Sequence, residues 1–230
     1  SSLFIKEINT IIDCGEDIAS SLNRENIKQV DNLFITHWHP DHTFGLRAII
    51  EANFNFRTNK PDHVIDLYIP KRVYKQLKEK YPAIDYFIYG QKTAKLHLIE
   101  HNQKIKLKNI TIIPIGFNGK NSETYGYQFI EKSKKILYSP CDTLGFKKYK
   151  EQKGLDLLIT ECGLFSNVPS EISFQEAIRR IREIKPEKVI FTHIEEIETK
   201  IWKQKYFLEQ KKKYPDVNLD YAKDGDVLTF

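Results

Sequence analysis

The chain has 230 residues, which is enough for one large domain with its own hydrophobic core. Its formal charge of +5 suits a polyanionic partner only weakly, because acidic and basic residues are interspersed throughout. The longest apolar runs, residues 110–117 and 189–192, are no longer than a strand, which excludes a membrane-spanning helix.

Strand-like and helix-like patterns alternate along the chain. The strand-like runs are residues 3–6, 10–13, 32–36, 63–69, 110–117, 125–130, 136–139, 155–160 and 189–192. The helix-like runs are residues 44–53, 71–80, 174–184 and 195–213, turns are expected at Pro169–Ser170 and Pro215–Asp216, and residues 222–230 indicate a closing turn and strand. This alternation favours two mixed sheets packed face to face with helices outside.

Residues 174–184 form the clearest helical pattern. Five apolar residues fall on one face, Ser173 is placed to cap the first turn, and Glu176 completes a capping box. Pro186 is expected to end the helix.

Three basic stretches stand out: residues 71–80, 132–135 and 203–213. Acidic residues interrupt two of them, so we interpret them as solvated helix faces or turns, not as strips that bind nucleic acid. The three cysteines Cys14, Cys141 and Cys162 form an odd set without a disulfide spacing, which favours a reducing cytoplasm. All three follow apolar strands, so each is interpreted as a small buried thiol.

Residues 33–47 carry most of the chemistry. An apolar strand runs directly into His37, His39, Asp41 and His42, four residues of metal-ligand type among six positions. Neutral imidazole and carboxylate suit borderline divalent ions, so Zn²⁺ is the first candidate, with Mn²⁺ and Fe as alternatives. His37 and His39 are two residues apart and predict a shared ion, whereas Asp41 and His42 project toward a second one.

This stretch resembles the His-x-His-x-Asp-His signature of the metallo-β-lactamase fold superfamily of hydrolases. Residues 10–15, 138–143 and 191–193 resemble other segments of that family in the same order. Among its branches the chain most resembles the phosphodiesterases, which include the PhnP-like cyclic phosphodiesterases and the tRNA 3′-processing endonucleases. The resemblance implies a four-layer αβ/βα sandwich of two mixed sheets. It also implies a single domain over residues 1–230, with the family's first strand lying before Ser1.

The resemblance further implies a ligand set for two divalent ions. His37 and His39 would bind the first ion, Asp41 and His42 the second, Asp142 would bridge them, and His193 would complete the second ion's shell. Asp13 would orient a ligand imidazole by accepting its other N–H.

Two departures from the family pattern affect this site. The first ion should have a third histidine within residues 118–124, where this chain offers only Asn118, Lys120, Asn121 and Glu123. Asn118 and Asn121 are the candidate substitute ligands, and the first ion is otherwise weakly held, completed by water, or absent. Glu171 stands where the phosphodiesterases usually carry a histidine that can either protonate the leaving group or hold a phosphate. Glu161, after the strand at 155–160, either partners Glu171 or caps a turn.

The pattern therefore predicts a metal-dependent hydrolase, with Asp41, Glu161 and Glu171 as the candidate catalytic residues. A metal-activated hydroxide would attack a small or cyclic phosphodiester or an RNA end. The alternatives are a thioester or lactone hydrolase on the same fold, and a metal-binding scaffold protein without turnover, since the third histidine is absent. The expected partners are a nucleotide-like small molecule or RNA and a second copy in a homodimer, without a membrane.

Overall fold

The computed structural model describes residues 2–166, 168, 171–202 and 204–229, without the side chains of residues 196, 197 and 204. The chain forms two compact units: unit 1 contains residues 1–103 and 120–125, and unit 2 contains residues 104–119 and 126–230. Ser1 and the turn expected at Pro169–Ser170 lie outside the described residues. The single domain over residues 1–230 and the strand before Ser1 stay predictions.

Unit 1 is built on a five-stranded mixed sheet in the order β1-β2-β3-β6-β7, beside a short hairpin of β4 and β5. Its strands are β1 (Leu3–Ile5), β2 (Thr10–Ile12), β3 (Asn32–Phe34), β4 (Phe54–Asn55), β5 (Lys60–Pro61), β6 (Ile65–Pro70) and β7 (Ala94–Ile99). Its helices are α1 (Ile18–Arg24), α2 (Pro40–Thr43), α3 (Leu46–Ile50) and α4 (Lys71–Lys80). Because β2, β3, β6 and β7 run parallel, their carboxyl ends share one edge of the sheet.

Unit 2 is built on a seven-stranded mixed sheet in the order β14-β13-β12-β11-β10-β9-β8. Its strands are β8 (Ile105–Leu107), β9 (Ile110–Gly116), β10 (Tyr125–Glu131), β11 (Lys134–Ser139), β12 (Leu157–Glu161), β13 (Lys188–Thr192) and β14 (Leu219–Tyr221). Its helices are α5 (Phe174–Ile184), α6 (Glu196–Ile201) and α7 (Gln204–Lys213). Strands β11 to β14 are parallel, so the residues that follow β11, β12 and β13 lie along one edge.

Each sheet packs an apolar face against its own helices. In unit 1 the alternating residues Leu33 and Ile35 join a core with Leu46 and Ile50 of α3. In unit 2 the predicted apolar face of α5 packs on residues such as Leu158 and Phe191. The core thus fixes where each strand ends, and the candidate ligands follow those ends.

Helix α5 has the predicted bounds, and its cap is present, since the Glu176 amide donates to Ser173 Oγ over 3.2 Å. The helix expected over residues 195–213 is divided into α6 and α7, and Trp202 already leaves helical geometry. The strand expected within residues 222–230 is wrong for the described residues 222–229, where the last strand to be found is β14, before the turn. Its residues Leu219–Tyr221 extend the parallel edge beside β13, which short-range periodicity does not reveal.

Cys14 and Cys162 are buried free thiols as predicted, whereas Cys141 is only partly buried, so its interpretation as a core thiol is wrong. The residue lies past the end of β11 and, unlike Cys162, does not join the buried core of unit 2. Among the described residues, no helix combines the length and apolarity needed to cross a bilayer.

Candidate metal-binding site

The histidine-rich loop of unit 1 follows β3 and leads into α2. Pro40 is the first residue of α2, a position whose N–H would have no acceptor within the helix, so proline is tolerated there. The helix carries Asp41 and His42. Thr43 Oγ1 lies 3.0 Å from the carbonyl oxygens of both Trp38 and His39 and so closes the loop onto the helix.

His37 and His39 turn ring nitrogens toward each other, with His37 Nε2 3.0 Å from His39 Nδ1. Thr36 Oγ1 lies 2.7 Å from Asp13 Oδ2 and 2.9 Å from His37 Nδ1. A hydroxyl has one proton, which Thr36 donates to the carboxylate, so Thr36 accepts the Nδ1–H of His37. A neutral His37 therefore keeps its lone pair on Nε2. Two nitrogens bound to one zinc at about 2.0–2.1 Å also lie a little over 3 Å apart, so this pair fits a shared ion.

Asp13 is fully buried behind the loop. Its carboxylate accepts the Thr36 amide at 2.8 Å and the Nδ1–H of His42 at 2.8 Å. Such a bond holds the imidazole in the tautomer that keeps the Nε2 lone pair. His42 Nε2 then lies 3.0 Å from Asp41 Oδ2, so a second pair of candidate ligand atoms is brought together.

Backbone packing holds this loop in place. Asp13 has a left-handed conformation, with φ 61°, where the chain leaves β2. A Cβ atom on Gly15 would lie 2.2 Å from the carbonyl oxygen of Asp41, so only glycine permits this approach. The Cys14 amide also donates to the carbonyl oxygen of His42 over 2.7 Å.

Unit 2 gathers a second group of candidate ligands at its parallel sheet edge. Cys141 and Asp142 follow β11, and His193 follows β13. The Sγ atom of Cys141 lies within 4.8 Å of a carboxylate oxygen of Asp142 and of a ring nitrogen of His193. Asp142 and His193 are left-handed, with φ 55° and 50°. Non-glycine residues adopt this conformation at a cost, and such residues cluster at functional sites.

Two side chains form hydrogen bonds with the turn that follows Asp142. The Thr143 amide donates to Glu161 Oε1 over 2.5 Å, and Arg180 of α5 donates to the Thr143 carbonyl oxygen. Arg180 also stacks on the ring of Tyr149, 4.7 Å from its centroid, and its Nε donates to Glu176 Oε1 over 2.9 Å. The turn that presents Asp142 is thus fixed by the end of β12 and by α5.

Acidic groups converge around Cys141 in unit 2. Burial raises the pKa of Glu161 to about 7, although its hydrogen bond from Thr143 acts in the opposite direction. The pKa of the more exposed Glu171 is also raised, first by partial burial and then by the negative charges of Cys141, Asp142 and Glu195. Anionic groups held close together favour a bound cation.

The proposed substitutes for the third histidine lie in exposed positions. Asn118 follows β9, and Asn121 lies in a single helical turn. The neighbouring Glu123 forms an ion pair with Arg72 at 2.9 Å. His97, which precedes this segment, lies 2.6 Å from Asp66 and stacks on Tyr68, so it has a structural setting of its own.

A family model described as a β-lactamase superfamily domain matches residues 9–194, four-fifths of the chain. The chain belongs to this family. The match includes the histidine-rich loop, Asp142 and His193, and it extends over both units. The predicted fold class, an α/β protein with two mixed sheets and flanking helices, is confirmed for this member of the β-lactamase superfamily.

Relatives within the superfamily agree with this placement. Ribonuclease Z of Picrophilus torridus is 30% identical over 153 residues, which are 64% of this chain and 46% of that protein. This member of the superfamily therefore spans about half the length of that curated relative. A diphosphatase of the PhnP family superposes with a TM-score of 0.67 at 23% identity, covering 96% of this chain and 79% of that one. The short form of human tRNase Z gives 0.62 at 16%, covering 99% and 90%.

Sequence reasoning gave no site role to three residues of this superfamily member that contact a candidate ligand or the turn beside one. Position in the sequence could have indicated two of them, because Thr36 directly precedes the histidine motif and Cys141 directly precedes Asp142. Arg180 carries no such sequence signal. It lies 37 residues beyond Thr143, on a helix whose pattern indicates only an apolar face directed at the core. Contacts at that separation arise only when α5 packs on its sheet.

Proposed function

We propose that this protein is a metal-dependent phosphodiesterase whose ions are held by the family ligand set. His37 and His39 would bind one ion, Asp41 and His42 another, with Asp142 shared and His193 on the second ion. The observation that carries the proposal is the 3.0 Å approach of His37 Nε2 to His39 Nδ1, with both His37 and His42 oriented from behind by hydrogen bonds. The histidine and carboxylate donors fit borderline divalent ions such as zinc.

Bound ions would supply positive charge for the phosphate oxygens and would lower the pKa of an attacking water. Residues of the chain orient the side chains that would bind these ions. Asp13 and Thr36 fix the imidazole tautomers, so that the metal-facing nitrogens keep their lone pairs. Glu161 and Arg180 fix the turn that carries Asp142, so we assign both a positioning role.

Glu171 is the proposed proton donor to the leaving group. Its carboxyl lies at the exposed margin of the acidic cluster, and its raised pKa increases the protonated fraction near neutral pH. A general acid must be protonated before reaction, so Glu171→Gln should lower kcat and leave ion binding intact.

The relatives' names favour phosphate chemistry over carbonyl chemistry. The name ribonuclease Z indicates cleavage of phosphodiester bonds, and the name diphosphatase indicates action on a phosphoanhydride. The basic stretches favour a small diester or an RNA end over a long nucleic acid. On α4, Lys71, Arg72 and Lys78 each pair with a carboxylate, at 2.6, 2.9 and 2.5 Å. Paired cations have less charge to offer a phosphate backbone.

The test is a substrate panel with the metal-free protein and with protein reconstituted with Zn²⁺ or Mn²⁺. Bis(p-nitrophenyl) phosphate, a 2′,3′-cyclic nucleotide and a short RNA 3′ end would be compared with a thioester and a lactone. We expect metal-dependent turnover of phosphodiesters, reduced about 100-fold or more in His39→Ala and Asp142→Asn. His97→Asn, away from the proposed ligands, is the matched control.

Turnover of the carbonyl substrates alone would contradict the proposal and favour a thioester or lactone hydrolase. Metal binding without turnover of any substrate would favour the scaffold alternative, as would activity unchanged by His39→Ala. Comparing the RNA end with the cyclic nucleotide then separates nuclease activity from small-molecule phosphodiesterase activity.

A further inference from the structure

We propose that the Cys141 thiolate is a ligand in the metal centre, beside Asp142 and His193. This inference rests on the proposed function, because it takes Asp142 and His193 to bind an ion. It assigns Cys141 a role that neither the family motif nor the candidate ligand set gave it.

The geometry within unit 2 carries the first step. Cys141 Sγ lies within 4.8 Å of both an Asp142 oxygen and a His193 nitrogen. A zinc ion binds sulfur at about 2.3 Å and nitrogen at about 2.0–2.1 Å, so two of its ligands are separated by less than the sum of about 4.4 Å. Small adjustments would therefore let Cys141 share an ion with Asp142 or with His193.

The setting of Cys141 differs from that of the other two cysteines. Cys14 and Cys162 are buried, with 0% and 1% exposure, and behave as small apolar side chains. Cys141 is instead only partly buried and lies past the end of β11, beside Asp142.

The chemistry of the thiol also suits the assignment. Thiolate is among the strongest ligands for zinc. On binding, the thiol loses its proton to solvent and a metal–sulfur bond forms, without any change of oxidation state. Sulfur ligation should also favour Zn²⁺ or Co²⁺ over Mn²⁺.

Cobalt substitution tests this directly. The wild-type protein loaded with Co²⁺ should show thiolate-to-cobalt charge-transfer absorption in the near ultraviolet. Cys141→Ser and Cys141→Ala should lose that absorption and bind Zn²⁺ at least tenfold more weakly in competition with a chelator. Cys162→Ala is the matched control and should keep the absorption.

Thiol alkylation of the wild-type protein gives a second measurement that needs no variant. Iodoacetamide should label Cys141 in the metal-free protein, whereas saturating Zn²⁺ should protect it from labelling. Equal labelling with and without Zn²⁺, or an unchanged cobalt spectrum in Cys141→Ala, would overturn the inference.

The two proposals fail in different ways. Cobalt binding and phosphodiesterase turnover without a thiolate band would refute sulfur ligation and leave the proposed function intact. Failure of the wild-type protein to bind Co²⁺ or Zn²⁺ would overturn both proposals.

Discussion

Asp13 connects the histidine-rich loop to the strand before it. Its buried carboxylate accepts hydrogen bonds from the Thr36 amide, the Thr36 hydroxyl and His42. Replacing it by asparagine removes one acceptor oxygen and the charge that keeps His42 oriented. We expect Asp13→Asn to weaken zinc binding about 10- to 100-fold. Competition with a chromogenic chelator measures this, with Asp17→Asn at an exposed position as control. Unchanged zinc affinity would show that the tautomer argument for His42 is wrong.

Gly15 tests the packing behind α2. Its added methyl group would meet the Asp41 carbonyl oxygen at 2.2 Å, and the backbone there has little room to yield. We expect Gly15→Ala to lower the free energy of unfolding by about 1–3 kcal/mol. Gly145→Ala, whose Cβ would meet nothing within 4 Å, is the control for the loss of a glycine. Equal urea midpoints for the two variants would contradict the close approach.

At the scale of elements, α5 links its own cap to the turn that follows Asp142. Ser173 caps the helix, while Glu176 accepts from Arg179 and Arg180, and Arg180 reaches the Thr143 carbonyl. The capping box is therefore present in one direction only, because the carboxylate expected to return to Ser173 is engaged by arginines. The helix thus contributes to the site as well as to the core.

The Ser173 cap should contribute measurably to the free energy of unfolding. Ser173→Ala removes the acceptor for the Glu176 amide, and we expect a loss of about 1 kcal/mol in unfolding free energy. Chemical denaturation followed by circular dichroism measures the change. Ser20→Ala, at an exposed position inside α1, should change stability by less than about 0.5 kcal/mol. A similar effect from both variants would argue against the cap.

The hydrogen bonds that Glu176 accepts from two arginines predict that the free energy of unfolding depends on pH. Hydrogen bonds from Arg179 and Arg180 lower its pKa from 4.5 to about 2. Since the folded pKa is lower than the unfolded one, this stabilisation is complete above about pH 4.5 and is lost as the pH falls toward 2. We expect Glu176→Gln to cost on the order of 1 kcal/mol at pH 7 and progressively less below pH 4.5. A difference from wild type that does not depend on pH between 7 and 3 would contradict this, and exposed Glu79→Gln serves as the control.

At the scale of the whole molecule, ion binding and folding should be coupled. Carboxylates and imidazoles held together without an ion repel one another or compete for protons, whereas a bound ion stabilises only the folded arrangement. Zinc at 100 times its dissociation constant should add about 2.7 kcal/mol, or roughly 5–10 °C in Tm for a chain of this size. Differential scanning fluorimetry with zinc and with a chelator measures this. His39→Ala should reduce the shift, because it removes a ligand of one of the two proposed ions, and His97→Asn should retain it in full; an equal shift in both would place the stabilising ion elsewhere.

Much of the fold followed from periodic patterns. The predicted bounds of α4 and α5 agree with the structure, and the nine strand-like runs before residue 222 are all present as strands with small differences at their ends, whereas the strand expected after residue 222 is not. Strands β7 and β8 were missed because charged residues interrupt their short apolar patterns, and α1 because its polar residues outnumber its apolar ones. The break between α6 and α7 was also missed, because the helix-like pattern continues without interruption over residues 195–213.

For the site, the sequence by itself determined the kinds of donor and their places after strands, because ligand chemistry is carried by residue type and strand ends by apolar patterns. It thereby indicated the family, which the match over residues 9–194 confirms. Only the tertiary structure decided which atoms face one another. It turned Asp13 toward His42, placed Cys141 beside Asp142 and His193, and brought Arg180 to Thr143. These contacts depend on register and helix packing, which join residues far apart in the chain and leave no local pattern.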